Sequence, residues 1–201
     1  MVSAFLLTLF YMSLHRIQSS KQPCRTSALR GHDYVIELLN GNDRRYFDCF
    51  RKKRITFIRL CEDLKSKTNL KSSRYLTVQE KVVIFLLIIS HNESNRIAAE
   101  RFQHLGHTIS LAFNLVLSKV CKLDREIISP PNIDTVPMEI VSNSKYYPFF
   151  KDCIGAIDGT HVPASILQNE QIPFRGRKTN TTWNIMCVCS FDMLFMYVIS
   201  G

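Results

Sequence analysis

Along the first two thirds of the chain, apolar residues recur at the three- and four-residue spacing of helices. A short helix is predicted over residues 34–39 with Gly41 ending it, and Asp43 is placed to cap the next helix. Farther along, Phe57, Leu60, Cys61 and Leu64 recur at helical spacing and form one apolar stripe. The stripe places the basic run 51–54 at a junction between helices or on an exposed face.

The segment Thr77-Val78-Gln79-Glu80 has the sequence of a capping box. In such a box the Thr77 hydroxyl and the Glu80 carboxylate each accept a hydrogen bond from a backbone donor that the first turn leaves free. The box predicts a helix over 81–90, in which residues 82–89 are apolar on all sides. A helix without a polar face has to be covered by its neighbours, so we expect it at the centre of a bundle.

Two further helices are predicted to cover the central one. The first runs over 94–103 and turns Ile97, Ala98 and Phe102 inward; the second begins near Thr108 and carries a stripe of Ile109, Ala112, Phe113, Val116, Leu117 and Val120. The link His104-Leu105-Gly106-His107 gives them the outline of a helix-turn-helix, whose second helix can enter the DNA major groove. Neither histidine has a carboxylate or thiol close by in sequence to complete a metal pair, so both are interpreted as turn or capping residues.

A change of periodicity follows a linker that contains Pro130, Pro131 and Pro137. Strands are predicted over 153–158, 183–191 and 194–200, the last two joined by a tight turn at Asp192-Met193. The pattern therefore predicts an α+β chain with three antiparallel strands. Its expected divisions are an apolar and loop segment at 1–42, a helical domain at 43–128, a linker at 129–150 and a strand domain at 151–201.

Positive charge is concentrated in the first part of the chain. The net charge is +9, and residues 1–75 carry 15 Lys and Arg against 6 Asp and Glu, whereas residues 76–201 carry 11 of each kind. A basic segment on a neutral remainder favours an anionic partner, with nucleic acid ahead of an acidic protein or a membrane surface. The run 51–54 fits either a nuclear import signal or phosphate contact on the one hand, or a solvated helix face on the other.

The cysteines and the N-terminal residues indicate in which cellular compartment the protein is expected. Seven scattered cysteines without a Cys-x-x-Cys pair indicate reduced core residues rather than a zinc site, and favour the nucleus with the cytoplasm as the alternative. Residues 1–14 are nearly all apolar, but a membrane span needs about 20 such residues. We expect a buried N-terminal helix there and no membrane partner, while His15 and Arg16 leave a signal peptide or anchor open.

The candidate residue for chemistry is Asp158, which follows an apolar run and precedes Gly159. A carboxylate at the end of a strand can meet a metal ion at the sheet edge without being buried and unpaired. On spacing alone, an Asp-Gly turn that merely ends a strand is the stronger interpretation.

A resemblance to a known family gives more weight to Asp158 as a metal ligand than its spacing alone does. The stretch CIGAIDGTHV around Asp158 resembles the first catalytic strand of Harbinger-type (PIF/Harbinger) DDE transposases and of plant transposase-derived nuclease-like proteins. Upstream, NESNRIAAERFQHLGHTIS and ISPP resemble the helical region before the catalytic domain; downstream, RGRKTNTTWNIMCVCSFDMLFMYVISG resembles the second and third strands. The resemblance covers roughly residues 23–201. It implies the start of an RNase H-like domain, in which three carboxylates hold two Mg²⁺ or Mn²⁺ ions for DNA cleavage.

The resemblance also implies roles for particular residues. Asp158 matches the first carboxylate, a metal ligand and catalytic residue, while Arg175, Arg177 and Lys178 would lie near the DNA backbone unless they form a solvated loop. The second carboxylate is expected just after the strand that ends at Gly201 and the third much farther on, so we expect this chain to be inactive. Asp192 matches a turn residue, for which only local hydrogen bonding is expected.

Two functions stay open at this point. The resemblance implies a hydrolase, a divalent-metal-dependent DNA endonuclease or transposase subunit in the nucleus, with DNA as partner and no small-molecule substrate. The alternative is a non-catalytic module over 43–125, in which the helix that begins at Thr108 reads DNA or the helical region docks a Myb-like partner protein. Basic residues on the exposed face of that helix would favour DNA, whereas its positions Ser110, Asn114 and Ser118 are merely polar.

Overall fold

The computed structural model describes residues 23–130, 136–176 and 180–201. The chain separates into two compact units, one ending at Lys119 and the other beginning at Val120. The first unit is helical and the second carries an antiparallel sheet, so the α+β class is confirmed. The finer domain limits stay predictions, and the apolar run 1–14 lies outside the described residues.

The helical unit is a bundle whose elements lie close to the predicted ranges. Its helices are α1 (Gly31–Asn40), α2 (Asp43–Phe50), α3 (Arg54–Thr68), α4 (Val78–His91), α5 (Asn95–Phe102) and α6 (Gly106–Val120). No helix in the described part of the chain has the length and apolar character needed to cross a membrane.

Side chains at the helix ends explain where several of these elements start and stop. The Asn42 side chain accepts a hydrogen bond from the backbone nitrogen of Arg44 at 2.8 Å and caps α2, so the prediction of Asp43 as the cap was wrong by one residue. Asp43 instead lies in the first turn of α2, where a negative charge favours the helix dipole. Four helices of the bundle end on left-handed residues other than glycine, namely Arg51, Asn69, Asn92 and Gln103.

The core of the bundle forms around α4, which contacts α1, α2, α3 and α5. Val82 and Ile84 are fully buried, as expected for a helix without a polar face. The prediction fails at the last turn of α4, where Ile89 is 53% exposed. On α2 the buried residues are aromatic, and the Tyr46 ring lies 4.9 Å from the Phe50 ring between centroids. Burial also raises the pKa of the Cys61 thiol to about 12.

The second unit begins with short helices and ends in the sheet. A 3-10 turn at Cys121–Leu123 precedes α7 (Asp124–Ile127) and α8 (Met138–Val141), and the strands are β1 (Ala156–Pro163), β2 (Thr182–Cys189) and β3 (Phe195–Ser200). The strand order is β1-β2-β3, antiparallel throughout. β3 lies inside its predicted range, and β2 begins one residue before its predicted range and ends inside it. The prediction for β1 was wrong at both ends, because this strand pairs with β2 from Ala156 to Pro163.

The sheet buries little of its own surface. Within the three strands Met196 is the one residue that is buried in the described structure, and Ile157 is 68% exposed. Gly155 lies just before β1, where an added Cβ would overlap the Cys189 carbonyl oxygen and contact the Met196 side chain. The absence of a side chain at Gly155 therefore allows the chain to enter β1 against the end of β2.

Candidate functional site

Asp158 lies on β1, but not at its end. It is the third residue of the strand, pairs with Cys187 of β2 and is exposed to solvent. Its carboxylate accepts a hydrogen bond from the backbone nitrogen of Gly159 at 2.8 Å. The prediction that Asp158 ends the strand was wrong, since pairing continues as far as Pro163 opposite Thr182.

The surroundings of Asp158 do not assemble a metal site. Over the described ranges 23–130, 136–176 and 180–201, no three His, Cys, Asp or Glu side chains come together closely enough to hold an ion. Asp192, in the turn between β2 and β3, accepts a short hydrogen bond from the Ser190 hydroxyl, which confirms its local role. Mg²⁺ gives up its water reluctantly and needs several oxygen ligands in octahedral geometry, so the carboxylate of Asp158 alone offers charge without a coordination shell.

Arg175, one of the three predicted DNA contacts of this unit, lies apart from Asp158. Arg175 is exposed and forms an isolated backbone bridge with Thr181, just before β2. Asp158 pairs with Cys187, six positions farther along the chain. At a strand rise of about 3.3 Å per residue this is a separation of about 20 Å. The structure thus does not bring Arg175 to the carboxylate, and Arg177 and Lys178 lie outside the described residues.

The helix-turn-helix outline is present, although the predicted inward residues Ile97 and Leu117 are exposed. Helix α5 ends at Phe102 and α6 begins at Gly106. Ala98 and Phe102 are buried as predicted, but Ile97 is 55% exposed and Ala99 takes the inward position. On α6 the inward stripe is narrower than predicted and consists of Ile109, Ala112 and Val116.

The outward face of α6 is apolar and polar rather than basic. Leu111 and Leu115 are exposed, and they alternate with the exposed residues His107, Asn114 and Ser118. Between Gly106 and Ser118 the sequence contains no Lys or Arg. A recognition helix usually carries side chains that bond to base edges or phosphates, so this face favours contact with a protein over contact with DNA.

The capping box at the start of α4 is only half formed. The Thr77 hydroxyl accepts a hydrogen bond from the backbone nitrogen of Glu80 at 3.1 Å, as predicted. The Glu80 carboxylate is 1% exposed and accepts a bond from Nε2 of His104 at 2.8 Å instead of returning to the helix start. The interpretation of His104 as a turn residue was therefore incomplete, because its ring ties the turn between α5 and α6 to α4.

A cleft of about 710 Å³ opens beside this carboxylate–imidazole pair. Gly31, the first residue of α1, lies against Glu80, and an added Cβ there would overlap the carboxylate and lie 2.9 Å from the Phe102 carbonyl oxygen. The other lining residues include Arg25, Arg30, His32, Tyr75 and Gln103. The sequence did not predict this cluster, because Glu80 and His104 lie 24 residues apart and no sequence motif pairs them.

The basic run 51–54 forms the junction between α2 and α3, as predicted. Arg54 holds the junction together, since its Nη2 atom donates to the Gly41 carbonyl oxygen at 2.6 Å and lies 2.9 Å from the Asp43 carboxylate. Arg51, Lys52 and Lys53 are exposed. The run therefore combines one structural arginine with three cations that face solvent.

Comparison with known proteins adds one finding. Residues 26–122 are similar to a family described as a domain of unknown function (DUF8040). No curated protein and no solved structure matches the chain. The match spans just under half of the sequence and lies over the helices. The α1–α6 region is thus the part of this chain that resembles a family, the domain of unknown function DUF8040.

Proposed function

We propose that the chain is a non-catalytic DNA-binding protein of the nucleus, derived from a Harbinger-type transposase, and that its helical unit makes the DNA contact. The distribution of charge carries this proposal. Residues 23–119 contain 17 Lys and Arg against 9 Asp and Glu, whereas residues 120–201 contain 7 against 8. Binding of such a surface to DNA is driven by release of counterions from the phosphates.

The cations that support this contact lie on the surface of the bundle. Arg51, Lys52 and Lys53 are joined there by the exposed residues Arg59 and Lys71. Because α6 presents leucines rather than basic side chains, the contact is to the phosphate backbone and carries little sequence information. Under this proposal the helix-turn-helix is a stable scaffold and does not recognise bases.

The strand unit takes no part in catalysis under this proposal. It resembles the first strands of a metal-dependent endonuclease and supplies one candidate ligand, Asp158. Hydrolysis with two ions would need two further carboxylates around the same Mg²⁺ or Mn²⁺ pair. Asp158 is exposed, and within the described residues it is not part of a group of three potential metal ligands, which supports a DNA-binding protein without nuclease activity.

Fluorescence anisotropy with a labelled duplex at several salt concentrations tests the proposal. The full chain should bind at low salt and weaken steeply as salt rises. The double variant Lys52→Glu/Lys53→Glu should bind about tenfold more weakly with a shallower salt slope, because two phosphate contacts become repulsive. Lys145→Glu/Lys151→Glu, which reverses two exposed charges of the second unit, is the matched control and should change little. Absent binding at low salt, or binding insensitive to salt, would contradict the proposal.

A second candidate function is docking of a partner protein, such as a Myb-like one, on the outward face of α6. The exposed residues Leu111 and Leu115, one helical turn apart, favour it. The double variant Leu111→Ser/Leu115→Ser should leave duplex affinity unchanged if this face serves a protein. A loss of duplex affinity in that variant would show instead that α6 contacts DNA.

A further inference from the structure

A groove of about 540 Å³ lies between the first part of α2 and the first part of α3. Its apolar lining is Phe47 from α2 with Ile55 and Ile58 from α3. These side chains are 47%, 56% and 38% exposed, although each is large and hydrophobic. Ile55 and Ile58 are three residues apart and so share one face of α3, opposite Phe47 across the groove. The three together form an apolar groove rather than scattered surface residues.

Strong positive charge surrounds this apolar groove. Residues 42–59 contain seven Lys and Arg but two acidic residues, Asp43 and Asp48. Asp43 is paired with Arg54 at 2.9 Å, within the groove lining. Lys53 lines the groove, and the exposed cations Arg44, Arg51, Lys52 and Arg59 lie within four positions of Phe47, Lys53 or Ile58 along the chain. The groove therefore has an apolar centre and a basic rim.

We propose that this α2–α3 groove binds an acidic amphipathic helix of a partner protein. Apolar side chains at helical spacing on such a helix would fill the groove beside Phe47, Ile55 and Ile58. Its carboxylates would meet the rim cations Lys52 and Lys53, which supplies orientation and a fast encounter. This site is distinct from the outward face of α6 and does not depend on DNA binding.

The same features disfavour the other occupants. Phosphates gain nothing from three apolar side chains at the centre of the surface, so DNA would use the rim and leave the groove empty. A second copy of the chain would bring a rim of the same charge against this one, at a cost in repulsion. A membrane surface takes up protruding apolar side chains, whereas Phe47, Ile55 and Ile58 line a concavity.

The test uses the full chain and a display library of helical peptides. The library fixes Leu at positions i, i+3, i+4 and i+7 and draws the remaining positions from Asp, Glu, Ser, Asn, Lys and Arg. Selection should enrich Asp and Glu. The affinity of a selected peptide should fall at least tenfold in Phe47→Ser/Ile55→Ser and also in Lys52→Glu/Lys53→Glu. Ile97→Ser and Lys65→Glu/Arg96→Glu, which change exposed residues elsewhere in the bundle, should leave it within about twofold.

Several results would overturn the proposal. Selection without acidic enrichment, or peptide binding that survives Phe47→Ser/Ile55→Ser, would show that the groove is not the site. Duplex binding that Phe47→Ser/Ile55→Ser weakens as much as Lys52→Glu/Lys53→Glu does would assign the groove to DNA. Self-association in sedimentation, or binding to anionic vesicles, that the apolar variant abolishes would assign it to a second copy or to a membrane. Circular dichroism of each variant confirms that a loss of binding is not a loss of fold.

Discussion

The helical unit and the strand unit differ most in how much of their apolar surface they bury. In the described residues, the helical unit contains 22 buried hydrophobic side chains and the second unit three, namely Leu123, Ile140 and Met196. A bundle closes on itself because each helix turns one stripe toward a shared centre. A three-stranded sheet has two faces and two edges, and here Met196 is the strand residue that is withdrawn from solvent.

The comparison extends to polar groups. In the bundle the two buried charged residues have partners, since the Glu80 carboxylate accepts from His104 and the Lys81 ammonium donates to the Lys71 carbonyl oxygen at 2.8 Å. The buried Tyr46 hydroxyl has no hydrogen-bond partner among the described residues. Burial lowers the pKa of that Lys81 ammonium. In the sheet, Asp158 and the bond between Thr182 and His161 are exposed. A change in the bundle should therefore act through the core, whereas a change in the sheet should stay local.

The largest expected effect is the loss of an aromatic side chain from the bundle core. Phe50 is fully buried, so Phe50→Ala should lower the free energy of unfolding by about 3–5 kcal/mol through lost burial and a cavity. The matched change in the second unit, Phe149→Ala, removes a side chain that is 81% exposed and should cost below about 0.5 kcal/mol.

Urea titration measures both variants with two probes. Helical circular dichroism follows the bundle, and the fluorescence of Trp183, the one tryptophan of the chain, follows β2. If Phe50→Ala and Phe149→Ala lowered the free energy of unfolding by similar amounts, the two units would not differ in burial as described.

A smaller effect is expected at the bond between Glu80 and His104. His104→Ala should cost about 1–3 kcal/mol, because it leaves the buried carboxylate without this donor. The control is His161→Ala, which removes the exposed 3.3 Å bond to Thr182 and should cost below about 0.5 kcal/mol. A double-mutant cycle with Glu80→Gln isolates the coupling between Glu80 and His104. A coupling near zero would show that the pair does not join α4 to the α5–α6 turn.

The helices could be predicted well because their signals are local. The all-apolar run in α4, the Thr77 cap and the basic junction at 51–54 each follow from residues a few positions apart. The partner of Glu80 could not be predicted in the same way, since the four residues 77–80 are compatible both with a complete capping box and with a Glu80 carboxylate bonded to a distant residue. The choice between them depends on His104, which the fold brings in from 24 residues away.

The prediction that Asp158 ends its strand failed for a related reason. The apolar run ends at Ile157, so the sequence predicts that the strand stops at the following carboxylate. Pairing with β2 carries the strand on through Thr160 and His161, since cross-strand hydrogen bonds and not side-chain polarity decide its length. Whether the downstream basic residues approach this position depends on the path of the loop, which the pattern of residues does not encode.

The smallest expected effect is at Asp158 itself, where we expect none. The full chain should show no cleavage of duplex DNA with Mg²⁺ or Mn²⁺, and Asp158→Ala should leave that result, duplex affinity and stability unchanged. The reason is electrostatic: in-line displacement at a phosphodiester needs ions at both the attacking and the leaving oxygen, and one exposed carboxylate cannot hold the pair. Nicking of a supercoiled plasmid measures this sensitively. Metal-dependent nicking that disappears in Asp158→Ala would show that further ligands reach this strand, with Asp152, Asp192 or a second subunit as their source.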